Sequence, residues 1–228
     1  MNTYRTKFQF AMKVCPILLW PVFAVASASA QTRPAAPAKE KEPPRITDRD
    51  GITLPPLPVD LEVGPEFVAF FKGHGIGTQN YVCRKTDSGF AFVLFTPQAT
   101  LFNSNGKQLI THFFSPDPFK ANTDSSVVTD RRILVTWQDS RDTSTIWAAK
   151  VAGAPAPVKD AVDWLKLEVL DFENGPTGGD SLTPTKFVLR VNTFRGVAPS
   201  GCDNQDAVGK EAFVPYEADY FFFRRVDQ

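Results

Sequence analysis

Near the C-terminal end of the chain, Val214, Tyr216, Ala218, Tyr220 and Phe222 occupy every second position, while Glu217 and Asp219 point the other way. Period two is the repeat of an extended strand, whose side chains alternate between two faces, and it does not fit the apolar stripe of a helix. The same signature recurs in short runs. Gln79, Tyr81 and Cys83 share one face, as do Ile133, Val135 and Trp137, and Thr143 to Val151 can pair back on the latter. Phe187, Leu189 and Val191 alternate with Arg190 and Asn192, and Phe67, Ala69 and Phe71 form a further run that Lys72-Gly73-His74-Gly75 would end. Phe90 to Phe95 is apolar throughout, the pattern of a central strand buried on both faces. Asn105-Gly106, between Leu101-Phe102 and Leu109-Ile110, is a hairpin signal. Residues 162–172 fit either a helix or a strand, and Trp164 with the β-branched content tips them to strand. About eight to ten short antiparallel strands, broken by Gly, Pro, Asn and Asp, predict one all-β domain over residues 59–228, a β-sandwich or barrel.

The two segments before it read differently. Arg5, Lys7 and Lys13 precede an apolar run from Val14 to Ala26 that ends at Ala28-Ser29-Ala30. A basic start, a short apolar stretch and small residues before a cleavage point describe a signal peptide over residues 1–30, so the expected destination is periplasmic or extracellular. An uncleaved anchor is the alternative, and Pro16 and Pro21 weaken it. No other apolar stretch is long enough to span a bilayer. Residues 31–58 are rich in Pro, Ala and charge, and read as a disordered spacer or tail. Three of the 25 basic residues lie in the first segment, so the remainder carries 22 basic against 25 acidic side chains. That balance, with no basic block, argues against a nucleic-acid partner.

Loss of the first segment takes Cys15 with it and leaves Cys83 and Cys202. Two thiols in an oxidising compartment are expected to pair. A reactive Cys202 is the alternative, but only an aspartate adjoins it and nothing nearby would lower its pKa.

Several stretches carry a family resemblance: Gly77-x-Gln79-x-Tyr81-x-Cys83, Pro97 to Phe102, Gly106 with His112, Arg190 to Asp203, and Val214 to Phe222. In this order the chain resembles a family of uncharacterised secreted bacterial and fungal proteins, domain-of-unknown-function 3455, over roughly residues 60 to 224. One segment departs. Where that family usually carries Gly-Pro-Thr-Trp after the histidine, this chain has Ser115-Pro116-Asp117-Pro118-Phe119. The resemblance implies export and a strand-rich fold, and it implies no activity.

Catalytic signatures are missing: the chain has no Gly-x-Ser-x-Gly elbow, no His-Glu-x-x-His pair and no phosphate-cradling loop. Gly73, Gly75 and Gly77 lack a following helix and read as turn residues between two strands. His74 and His112 alone cannot complete a zinc site without acids such as Asp117 or Asp124, so neither a metal nor a cofactor is expected. His112, at a strand end before Phe113-Phe114, is the leading candidate for a ligand pocket, against a plain structural hydrogen bond. Gln79, Tyr81, Arg190 and Tyr216 are the candidate polar and aromatic wall, against a role in stitching strands to loops. The expected function is a non-enzymatic binding module whose partner is a glycan or an envelope component. The alternatives are a hydrolase or lyase using His112 with a nearby acid, and a purely structural envelope protein.

Overall fold

The computed structural model describes residues 52–116 and 133–227. The segment read as a signal peptide, most of the expected spacer, and Asp117 and Asp124 lie outside the described residues.

Eight antiparallel strands form one closed barrel: β1 (Phe67–Thr86), β2 (Gly89–Phe102), β3 (Gln108–Pro116), β4 (Ile133–Asp139), β5 (Thr145–Ala154), β6 (Trp164–Glu173), β7 (Phe187–Arg195) and β8 (Glu211–Arg225). Each strand pairs with its neighbours in sequence, and β8 returns to pair with β1 along most of its length. Closure removes the unpaired edges of an open sheet. The all-β expectation holds as a barrel rather than a sandwich, and residues 162–172 enter it as β6. Asn105-Gly106 does form a β2–β3 turn: Gly106 takes a positive φ of 74°, and the Asn103 side chain accepts from the amides of Asn105 and Lys107.

Three sequence expectations are corrected. His112 does not lie at a strand end but in the middle of β3, paired on both sides. Gly73, Gly75 and Gly77 do not lie in a turn; all three sit inside the 20-residue β1. A β-carbon on Gly73 would press on Leu101, one on Gly75 on the Tyr220 ring, and one on Gly77 on the Gln98 carbonyl and Ala99. Alternating glycines therefore make room for large inward side chains while keeping β1 extended. Their period of two is itself a strand pattern. Phe90 to Phe95 is not buried on both faces, because Val93 is 39% exposed and Ala91 is exposed too. A barrel strand has one face toward solvent unless something covers it.

Two apolar layers result. Phe71, Leu101, Ile110, Trp137, Ile146, Leu167, Tyr216, Tyr220 and Phe222 belong to the main core cluster inside the barrel. A second cluster on the outer side joins Trp164, Leu189, Val191, Phe221 and Phe223 to Leu61, with Ile52, Leu54 and Leu57 packed against it. Packing thus begins within the stretch read as spacer, and a 3-10 turn at Val59–Leu61 buries Leu61 completely. An extra residue in β1, Phe70, shifts the register against β8. In consequence Phe67 and Ala69 pack on the outer cluster and Phe71 on the inner one.

Cys83 and Cys202 are joined in a disulfide with Cα atoms 5.5 Å apart, packed with Ala207 against Phe90 and Phe92. Asn204 caps the adjoining 3-10 turn by accepting from the amides of Asp206 and Ala207. No helix among the described residues is long and apolar enough to cross a membrane.

Candidate functional site

His112 on β3 and Trp137 on β4 are direct cross-strand partners, so alternation sends both side chains into the barrel. The imidazole lies flat on the indole, centroids 4.6 Å apart and planes 10° from parallel, with the Tyr220 ring edge-on at 5.2 Å. His112 Nδ1 is 2.9 Å from the Thr136 carbonyl oxygen, which only accepts, so Nδ1 carries the proton and Nε2 keeps its lone pair. Burial removes water from the ring and lowers its pKa to about 3; the Thr136 bond opposes this and the Arg190 charge adds to it. His112 is therefore a neutral imidazole at physiological pH.

These rings form one wall of a cavity with about 60 Å³ of room for the centres of water-sized molecules. Gln79 from β1, Arg190 from β7 and Tyr220 from β8 complete its polar side. Leu94, Phe114, Val135, Leu165 and Leu167 make the rest apolar. A concave, mainly apolar space with a few convergent polar groups is the usual form of a small-molecule site.

The polar side is short of acceptors. Gln79 Nε2, Trp137 Nε1 and Arg190 Nε are buried N–H donors with no hydrogen-bond partner, and all three residues line the same cavity. Each such donor costs about 1–3 kcal/mol in a folded protein. Arg190 Nη2 donates to the Asp163 carbonyl at 2.8 Å, and among the described residues no carboxylate pairs with the guanidinium. Its positive charge acts on His112, Tyr81, Tyr216 and Tyr220 alike. Tyr216 and Tyr220, four residues apart on β8, share a hydroxyl–hydroxyl bond of 2.9 Å, and burial pushes both phenols up. Gln79 and Arg190 approach these hydroxyls closely enough to ease their ionisation, yet Gln79 Nε2 and Arg190 Nε themselves have no acceptor in bonding geometry.

Of the residues singled out from sequence, Gln79, His112 and Arg190 meet at the cavity. Tyr216 stands one step behind it, through Tyr220. Tyr81 is not part of the lining: its hydroxyl donates to the Gly196 carbonyl at 2.6 Å and ties β1 to the chain leaving β7. Trp137 and Tyr220 were not singled out as site residues. Both lay in the alternating runs, but only the β3–β4 register shows that Trp137 faces His112. His74 is turned to the outer face and is 44% exposed, with Nδ1 2.9 Å from Asp219 and Nε2 3.4 Å from Glu217. The two histidines thus lie on opposite sides of the barrel wall, and among the described residues no group of three or more His, Cys, Asp or Glu could hold a metal.

Residues 66–224 match the family model described as "Protein of unknown function (DUF3455)". The chain belongs to this family. The match runs from just before β1 to the penultimate residue of β8, so the family domain is the barrel itself. Comparison with curated proteins and with solved structures finds no match to either.

Proposed function

We propose that this DUF3455 member is an exported, non-enzymatic barrel that binds a small molecule in its lumen. The observation that carries this reading is the convergence of Gln79, His112 and Arg190, from three non-adjacent strands, on one apolar-walled cavity. Binding rather than catalysis is favoured by the state of His112. A general acid or base works best with a pKa near the operating pH and a partner that orients it. This ring is 2% exposed, bonded to a backbone carbonyl, and has a pKa of about 3. Export is supported by the basic and apolar character of residues 1–30 and by the Cys83–Cys202 disulfide, which persists in oxidising compartments.

A thermal-shift screen of the oxidised protein against small organic molecules tests the reading. A ligand that binds only the folded state raises its stability by about 2.7 kcal/mol at a hundredfold excess over Kd. Val135→Phe and Leu94→Phe, which fill the cavity from its partly exposed walls, are expected to abolish the shift while remaining folded. Shifts that persist in both filled variants would place the ligand elsewhere. No shift with any compound would move the function to a protein or glycan partner on the outer surface.

A further inference from the structure

We infer that the lumen ligand carries a carboxylate on a compact apolar body, and that Arg190 is its counter-charge. This rests on the lumen-binding reading above and adds the chemical class. Three observations support it independently. First, the buried lining atoms without a partner, Gln79 Nε2, Trp137 Nε1 and Arg190 Nε, all donate and outnumber the one free lone pair on His112 Nε2, so the complementary ligand group is an acceptor with several lone pairs. Second, the lining contains one formal charge, the Arg190 guanidinium, and no acid; His112 is neutral, and Tyr220 and Tyr216 behind it keep their protons. Water can accept from an N–H, but only an anion neutralises the guanidinium, and a planar carboxylate matches its fork. Third, the rest of the lining is largely hydrocarbon, from Leu94, Phe114, Val135, Leu165 and Leu167, in a space that limits the body to a few carbon atoms or one ring.

The polar and apolar sides also set the orientation. The carboxylate faces Gln79 on β1, Trp137 on β4 and Arg190 on β7, which bear the free donors, and the apolar body lies against Leu94 on β2, Phe114 on β3 and Val135 on β4. A phosphate or sulfate shares the charge but lacks an apolar part to occupy that side. A neutral sugar would satisfy donors and acceptors alike and leave the guanidinium unneutralised.

Calorimetric titration of the oxidised protein with butyrate and benzoate, each paired with its neutral amide, tests this assignment. The expected result is binding of at least one carboxylate with its amide on the order of a hundredfold weaker. Arg190→Gln should lower carboxylate affinity by a similar factor and leave the amide unchanged, while Arg190→Lys should retain part of the affinity. Trp137→Phe, which removes the N–H together with part of the ring that His112 stacks on, should weaken both members of a pair. Equal binding of acid and amide, unaffected at Arg190, would overturn the carboxylate assignment and leave lumen binding standing. No binding by any of the four compounds, together with a neutral compound from the thermal-shift screen that the filled variants lose, would do the same. No binding by the four and no shift in the screen would overturn both. Should Arg190→Gln fail to fold, Arg190→Lys and the acid–amide comparison still decide the matter.

Discussion

The imidazole of His112 is stacked on the indole of Trp137 inside the closed barrel, held there by a bond from Nδ1 to the carbonyl of Thr136, the residue before the tryptophan. This makes a neutral histidine part of the packed interior and gives it a measurable signature. Its folded pKa, about 3, lies below the ordinary value of 6.5. Between those values the unfolded chain binds a proton that the folded protein does not, so stability is full above pH 6.5 and falls as pH drops. The slope is about 1.4 kcal/mol per pH unit. Urea denaturation at pH 7.5 and pH 5 should show a loss of roughly 2 kcal/mol attributable to this one residue. In His112→Phe the loss across that interval should shrink by the same amount, even though the variant is less stable at pH 7.5. An unchanged pH slope would mean that the ring titrates in water.

The three alternating glycines of β1 predict a graded series. A β-carbon at Gly77 would meet the Gln98 carbonyl and the Ala99 backbone, which cannot move without parting β1 from β2. At Gly75 it would approach a Tyr220 ring carbon at 2.7 Å, and that ring is confined by His112 and Trp137. At Gly106, in the β2–β3 turn, it would meet nothing, and only the positive φ resists it. Alanine is therefore expected to cost about 3 kcal/mol or more at Gly77, about 1–3 at Gly75 and about 1 at Gly106. Denaturation midpoints of the three variants check the order; Gly77→Ala no worse than Gly106→Ala would contradict the close strand approach.

A third expectation concerns the loop between β4 and β5. Asp142 Oδ1 accepts from the Ser144 amide and hydroxyl, and Oδ2 from the Ser181 amide, so one carboxylate clasps this loop to the chain between β6 and β7. Burial raises its pKa, but these bonds outweigh burial and hold it below the usual carboxylate range. A depressed carboxyl stabilises the fold above its unfolded pKa and loses that contribution as pH falls through the folded one. Asp142→Ala should cost about 1–3 kcal/mol at pH 7 and markedly less at pH 3. A cost independent of pH would assign the effect to packing.

Which of these features the sequence shows depends on whether a property is local. Alternation in β8 is local, and Tyr216, Ala218, Tyr220 and Phe222 are all buried as it implies. Alternation marks two faces, however, without saying which is inner. In β7 the apolar set, Leu189 and Val191, packs outside against the segment that holds Leu61, while Arg190 lines the lumen. The usual equation of apolar with inward fails there because a covering segment gives the barrel a second core. The cavity is less legible still. Its lining comes from seven strands, so the meeting of Gln79, His112 and Arg190 depends on closure and register, which no window of residues contains. Trp137 was visible as one of an alternating set, but its partnership with His112 follows from a pairing 25 residues apart.

The disulfide carries the last prediction, because it joins stability to destination. Cys83 lies in β1, and Cys202 lies in the chain between β7 and β8, 119 residues later. Closing so long a loop restricts the unfolded chain by roughly 5 kcal/mol in the entropic model, and measured bonds of this kind deliver about 2–5. The bond is not alone in fixing this loop: Cys83 also accepts from Gly209 N at 2.9 Å and donates to Lys210 O at 2.8 Å, and Tyr81 holds Gly196. Cys83→Ala with Cys202→Ala should therefore lower stability by the smaller part of that range and leave the barrel closed. The lumen should keep its shape, because neither cysteine lines it, nor do Ala207, Phe90 and Phe92, which pack with them. Intact-mass measurement of the protein recovered from its native compartment should find it two hydrogens lighter than the reduced form, with Gln31 as its first residue. Three alkylatable thiols, Cys15, Cys83 and Cys202, on a chain that still begins at Met1 would overturn the export proposal, and Cys202 would then have to be considered as a reactive thiol.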